Sequence, residues 1–73
     1  MALATAAALV AQAVKDARVR RGMTQKELAE LMGYADPSFI TRIEAPKGLN
    51  VTVETLESLA VALNTTLAIE FKE

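Results

Sequence analysis

Between Gly22 and Glu44 the chain carries so many helix start and stop signals that little freedom remains in what it can form. Thr24-Gln-Lys-Glu27 is a capping box: the Thr24 hydroxyl is placed for the amide three residues on, and Glu27 reaches back to the Thr24 amide. Met23 and Leu28 flank it at the positions of a hydrophobic staple, so a helix must begin at Gln25. Leu28, Leu31 and Met32 give that helix an apolar side, and Gly33 stops it. Asp36-Pro37 then reads as an N-cap followed by proline at the first helical position. Phe39, Ile40 and Ile43 recur with helical spacing, which predicts a third helix from Pro37 to about Ala45. Pro46, Lys47 and Gly48 end it. Two short helices joined by a tight turn are the consequence.

The flanks supply the packing partners. A first helix runs to about Arg21, where Gly22 takes the C′ position and Arg20 and Arg21 face the negative end of the helix dipole. Leu9, Val10, Ala13, Val14 and Ala17 share one side of it, predicted to be the core side, and residues 1–8 are an arm or the helix start. Thr52 caps a fourth helix, stapled by Val51 to Leu56. Val53, Leu56, Leu59, Ala60 and Leu63 keep helical spacing there, and Asn64 stops it. The tail changes period, with Leu67, Ile69 and Phe71 alternating with Ala68, Glu70 and Lys72, which predicts a strand over 66–72. The chain has no second strand-like segment, so this strand needs a partner from outside to satisfy its backbone groups. The predicted fold is all-α: a single domain, 1–73, of about four helices, plus a short C-terminal β-strand that pairs across a homodimer through Leu67, Ile69 and Phe71.

Composition narrows the function. Although 52% of the 73 residues are hydrophobic, fourteen are alanines, so the core is thin and oligomerisation or close helix packing must make up the difference. The absence of Cys and His removes the common zinc ligands, the carboxylates are scattered, and no Gly-rich phosphate cradle occurs. No catalytic residue, metal or cofactor is therefore expected, and the chain is read as a non-enzyme. No basic residue precedes the N-terminal apolar run and Lys15 and Asp16 close it, so neither a secretion signal nor a membrane span is expected; a cytoplasmic location is. The formal net charge is −1 but unevenly spread. Lys15, Arg18, Arg20, Arg21, Lys26, Arg42 and Lys47 stand against five acidic groups up to residue 48, whereas Lys72 alone stands against four glutamates after it.

From Gly22 to Glu44 the chain resembles the lambda-repressor/Cro-like (XRE-type) helix-turn-helix family, on Arg21-Gly-Met-Thr-Gln-Lys-Glu-Leu-Ala29 and Ile40-Thr-Arg-Ile-Glu44. The resemblance extends more loosely to the first helix and to residues 53–63. It departs at Gly33-Tyr-Ala-Asp36, where the turn holds one extra residue and an anionic cap. What the resemblance implies is double-stranded DNA binding. Gln25 would bond a phosphate or brace another contact, Ser38, Thr41 and Arg42 would face base edges, Pro37 would touch a thymine methyl, and Lys47 would neutralise phosphate. Arg18 and Glu44 would form a structural ion pair. A strand signal in place of a fifth helix resembles the HipB-like antitoxin branch, so the expected function is a dimeric, autoregulating repressor that also binds a toxin protein. Two alternatives stand beside it: a phage- or plasmid-type repressor without a toxin, and a protein-interaction module that has lost DNA binding.

Overall fold

The computed structural model describes residues 5–71, which form four helices in the order α1 (Ala6–Arg20), α2 (Gln25–Leu31), α3 (Ser38–Ile43) and α4 (Val53–Ala62). Side-chain caps start three of them: Thr5 accepts from the Ala8 amide, Thr24 from Glu27 and Thr52 from Thr55. The capping box is complete, with the Thr24 amide donating back to Glu27 at 2.9 Å. Residues 6–8 are thus the first turn of α1 rather than an arm. The third start differs from expectation: α3 begins one residue late, with Pro37 as its N-cap. Pro37 has no amide to offer, so the Asp36 carboxylate takes the next donor, the Ser38 amide, at 2.8 Å.

Helix ends follow one pattern. After α1, α2 and α4 the chain crosses a residue of positive φ (Gly22, Gly33 and Asn64), and the next amide returns to a carbonyl in the last turn. These bonds are Met23 to Arg18, Tyr34 to Ala29 and Thr65 to Ala60.

The core is small and central. Leu28, Ile40 and Ile43 are fully buried and pack with Val14, Ala29, Leu59 and Leu63, so every helix contributes. Each large aliphatic side chain sealed there contributes about 1.5–3 kcal/mol. Four residues expected on inner faces lie outside. On α1 the inward arc centres on Ala11 and Val14, and Leu9, about 140° round from Val14 at 100° per residue, is 60% exposed. Leu31 lies similarly far round α2 from Ala29, and Val53 is held in the first turn of α4; both are exposed. Ala13 is also exposed. Leu9 and Ala13 instead line an open cleft of about 460 Å³ shared with α4 and residues 65–69.

Residues 65–71 follow α4 without regular structure, and among the described residues there is no strand. An isolated extended segment has no ladder to join, which is why the predicted strand is not formed in one chain. Leu67 is half-buried, while Ile69 and Phe71 are exposed. Lys72, at the end of the predicted strand, lies outside the described residues.

The loop after α3 is fixed by contact as well as by conformation. Gly48 has φ +71°, and a Cβ there would overlap the Ala7 carbonyl in the first turn of α1. Gly33, at φ +84°, has open space where a Cβ would lie. Alanine at Gly33 should therefore cost only the left-handed strain, about 1–2 kcal/mol. Alanine at Gly48 should cost more, because α1 must also move. Urea denaturation of both variants measures the difference, and equal losses would show that the Ala7 contact carries no energy.

Candidate nucleic-acid interface

The site is built around one carboxylate. Glu44 caps the C-terminal end of α3, and its side chain is only 3% exposed. Arg18, from the last turn of α1, meets it with a two-pronged fork: Nε donates to Oε2 at 2.7 Å and Nη2 to Oε1 at 2.9 Å. The remaining Arg18 nitrogen, Nη1, donates to the Met23 carbonyl at 2.7 Å, which anchors the strap between α1 and α2. The hydrogen bond to Glu44 is the main reason the Arg18 pKa is raised above its ordinary value, with partial burial opposing and the Glu44 charge assisting.

From Glu44 the network passes outward. The Gln25 amide nitrogen, at the start of α2, donates to Glu44 Oε1 at 3.2 Å, and the Gln25 carbonyl oxygen accepts from the Thr41 hydroxyl at 2.9 Å. Thr41 also lies 3.1 Å from the Pro37 carbonyl one turn earlier. Two residues read from sequence as facing DNA, Gln25 and Thr41, are thus bonded to each other. Gln25 holds Thr41, and Thr41 spends its proton on the scaffold, leaving an oxygen lone pair as its remaining polar group. Pro37 is half-buried and contributes its carbonyl.

The other expected residues are placed differently. Ser38 and Arg42 are exposed one turn apart on α3, and Lys47 is exposed in the loop that follows. No hydrogen bond or ion pair engages the Arg42 guanidinium or the Lys47 ammonium among the described residues, so both are free for an anion or a base edge. Asp36 adds negative charge beside them. Bonds from the Ser38 side chain and then its amide hold the Asp36 carboxylate below its ordinary pKa, so it stays ionised near neutrality. The inserted turn residue Tyr34 packs on Phe39, with ring centroids 4.9 Å apart and planes at 56°. Such a pair adds about 0.5–1.5 kcal/mol beyond its burial.

Arg21 has a role that sequence reasoning missed. Its Nε donates to the Leu63 carbonyl at 2.9 Å and Nη2 to the Asn64 carbonyl at 2.6 Å, tying the end of α4 to the end of α1. The stop at Asn64 signals carbonyls in need of donors, but nothing local identifies a donor more than forty residues away.

A helix-turn-helix profile matches residues 14–69. The chain belongs to that helix-turn-helix family. No curated protein matches it. Solved structures do, among them the wild-type restriction-modification controller protein C.Esp1396I, 30% identical, with a TM-score of 0.73, covering 82% of this chain and 76% of that one. The same controller bound to a 19 base pair DNA duplex is 30% identical, with a TM-score of 0.72 and coverage of 82% and 77%. A variant of it with one tyrosine replaced by phenylalanine, bound to its highest affinity operator site, is 32% identical, with a TM-score of 0.72 and coverage of 82% and 76%.

The network predicts strong coupling. Removing either Arg18 or Glu44 leaves a poorly solvated charge, so each single alanine variant should lose more than the ~1 kcal/mol of an exposed pair. A double-mutant cycle on thermal or urea unfolding should give a coupling of about 1–3 kcal/mol. Additive losses would mean that the pair does not hold α1 to α3.

Proposed function

We propose that this chain is a sequence-specific double-stranded DNA-binding regulator of transcription, acting as a homodimer that occludes or organises a promoter. The observation that carries the reading is the brace just described: α3 is locked to α1 and α2 through Glu44, while Ser38, Arg42 and the Thr41 oxygen are left on its outer side. A rigid helix with free polar groups along one side suits the major groove, which is wide enough to admit it. Arg42 is assigned to a guanine edge through its two-donor fork, Ser38 and Thr41 to neighbouring base edges, Pro37 to a thymine methyl, and Lys47 to phosphate. The DNA-bound controller structures support this assignment by likeness. Those relatives are controllers of restriction-modification systems rather than antitoxins, so toxin binding is not part of the proposal.

Dimerisation is the second half of the proposal. Leu9 and Ile69, which line the cleft between α1, α4 and the tail, are 60% and 62% exposed, and Phe71 beyond them is 97% exposed. Pairing of residues 66–72 with the same segment of a second copy would supply the missing backbone partners and cover those side chains together. A two-fold dimer would also place two recognition helices about 34–36 Å apart, matching successive major grooves on one face of a duplex.

A protein-interaction module without DNA binding remains the competing reading, favoured by the ionised Asp36 beside α3 and the net charge of −1. Enrichment of sequences from a random duplex pool at low salt separates the two. If DNA is bound, Arg42→Ala should cost about 1–3 kcal/mol and relax the preference at one base position. Lys47→Ala should weaken all duplexes alike and reduce the salt slope by about 1. Equal losses on selected and random duplexes for Arg42→Ala would remove its base-reading role.

The dimer has its own measurement. Deleting residues 66–73, or making Phe71→Asp, should shift sedimentation at micromolar concentration toward monomer and sharply weaken binding to a duplex carrying two half-sites. A truncated chain that remained dimeric would rule out the tail as the interface.

A further inference from the structure

The extra residue in the turn between α2 and α3 is accommodated in a particular way. Tyr34 is 38% exposed, yet its ring rests against Phe39, and Phe39 in turn packs on the buried core. The phenol is therefore held on a fixed platform beside the first turn of α3 instead of sweeping freely through solvent. Its hydroxyl has no partner among the described residues.

We propose that Tyr34 is a specificity-determining residue: supported by Phe39, its phenol hydroxyl bonds a base edge at the margin of the groove that α3 enters. The proposal rests on the DNA-binding reading above. The neighbourhood favours a base over a phosphate. Asp36, two residues further along the same turn, is exposed and kept ionised by Ser38, so a phosphate approaching this turn meets a like charge. An amino group on cytosine or adenine meets no such barrier, and a phenol hydroxyl both donates and accepts. The inserted turn thus combines an aromatic support, a free hydroxyl and a charge that repels backbone. This combination is suited to discriminating among bases.

The test uses the full chain and duplexes enriched by it from a random pool. Tyr34→Phe keeps the ring on Phe39 and removes only the hydroxyl. It should leave the melting temperature unchanged and weaken binding to the enriched duplex about three- to tenfold, the worth of one hydrogen bond, without altering binding to random duplex. It should also relax the preference at one base pair in a repeated enrichment. Unchanged affinity and an unchanged enriched sequence would overturn the proposal. So would an equal loss on enriched and random duplexes, which would mark a phosphate contact. Failure of the unaltered chain to enrich any sequence would instead overturn the DNA-binding reading itself, and this proposal with it.

Discussion

Holding the Glu44 carboxylate out of water is the constraint on which the rest of this structure depends. A carboxylate only 3% exposed must be fully satisfied or it destabilises the fold that buries it. Here the Arg18 fork and the Gln25 amide satisfy it, and each comes from a different helix. The same bonds therefore solve a solvation problem and define the angle at which α3 leaves the body. With a core as small as Leu28, Ile40, Ile43 and their neighbours, apolar contacts alone would leave a six-residue helix loosely directed. Hydrogen bonds add direction that burial cannot.

How much of this was legible beforehand depended on whether the signal was local. The Thr24 to Glu27 capping box, the Thr52 cap and the stops at Gly22, Gly33 and Asn64 concern backbone groups within a few residues, and α2 and α4 begin where those residues require. The start of α3 was displaced by one residue because Asp36 bonds the Ser38 amide and Pro37 has none. Faces were harder to read. Helical spacing in an alanine-rich α1 does not mark which arc points inward, and Leu9 and Ala13 turned out to border the cleft. The tail alternates as a strand should, but a single chain offers it no ladder.

The candidate site was legible as a set of residues and not as a circuit. Resemblance named Arg18 with Glu44, and Gln25 with Thr41 among the groups facing DNA. It did not show that Gln25 links Glu44 to Thr41, since that depends on distances between α2 and α3. Arg21 was assigned to the dipole of its own helix, whereas its guanidinium reaches the carbonyls that end α4. Long-range polar contacts of this kind leave no periodicity to detect.

This division of labour has a consequence for how such a chain would hold DNA. Among its cations Arg18 is committed to Glu44 and Arg21 to backbone carbonyls; Arg42 and Lys47 lie beside α3 and Lys26 on α2, with Lys15 and Arg20 on α1, in a chain of net charge −1. Few phosphates can be neutralised by one copy, and each makes only a small, salt-dependent contribution. Asp36 reduces it further by repelling backbone at the turn. A single copy would therefore bind weakly and without the usual electrostatic reserve, so that its discrimination among bases would form an unusually large share of what binding energy it has. Doubling the contact through a two-fold dimer raises affinity without adding positive charge, because the second half-site is engaged at high effective concentration. In the proposed dimer, the apolar tail and the sparsely charged side of α3 would be two parts of one solution.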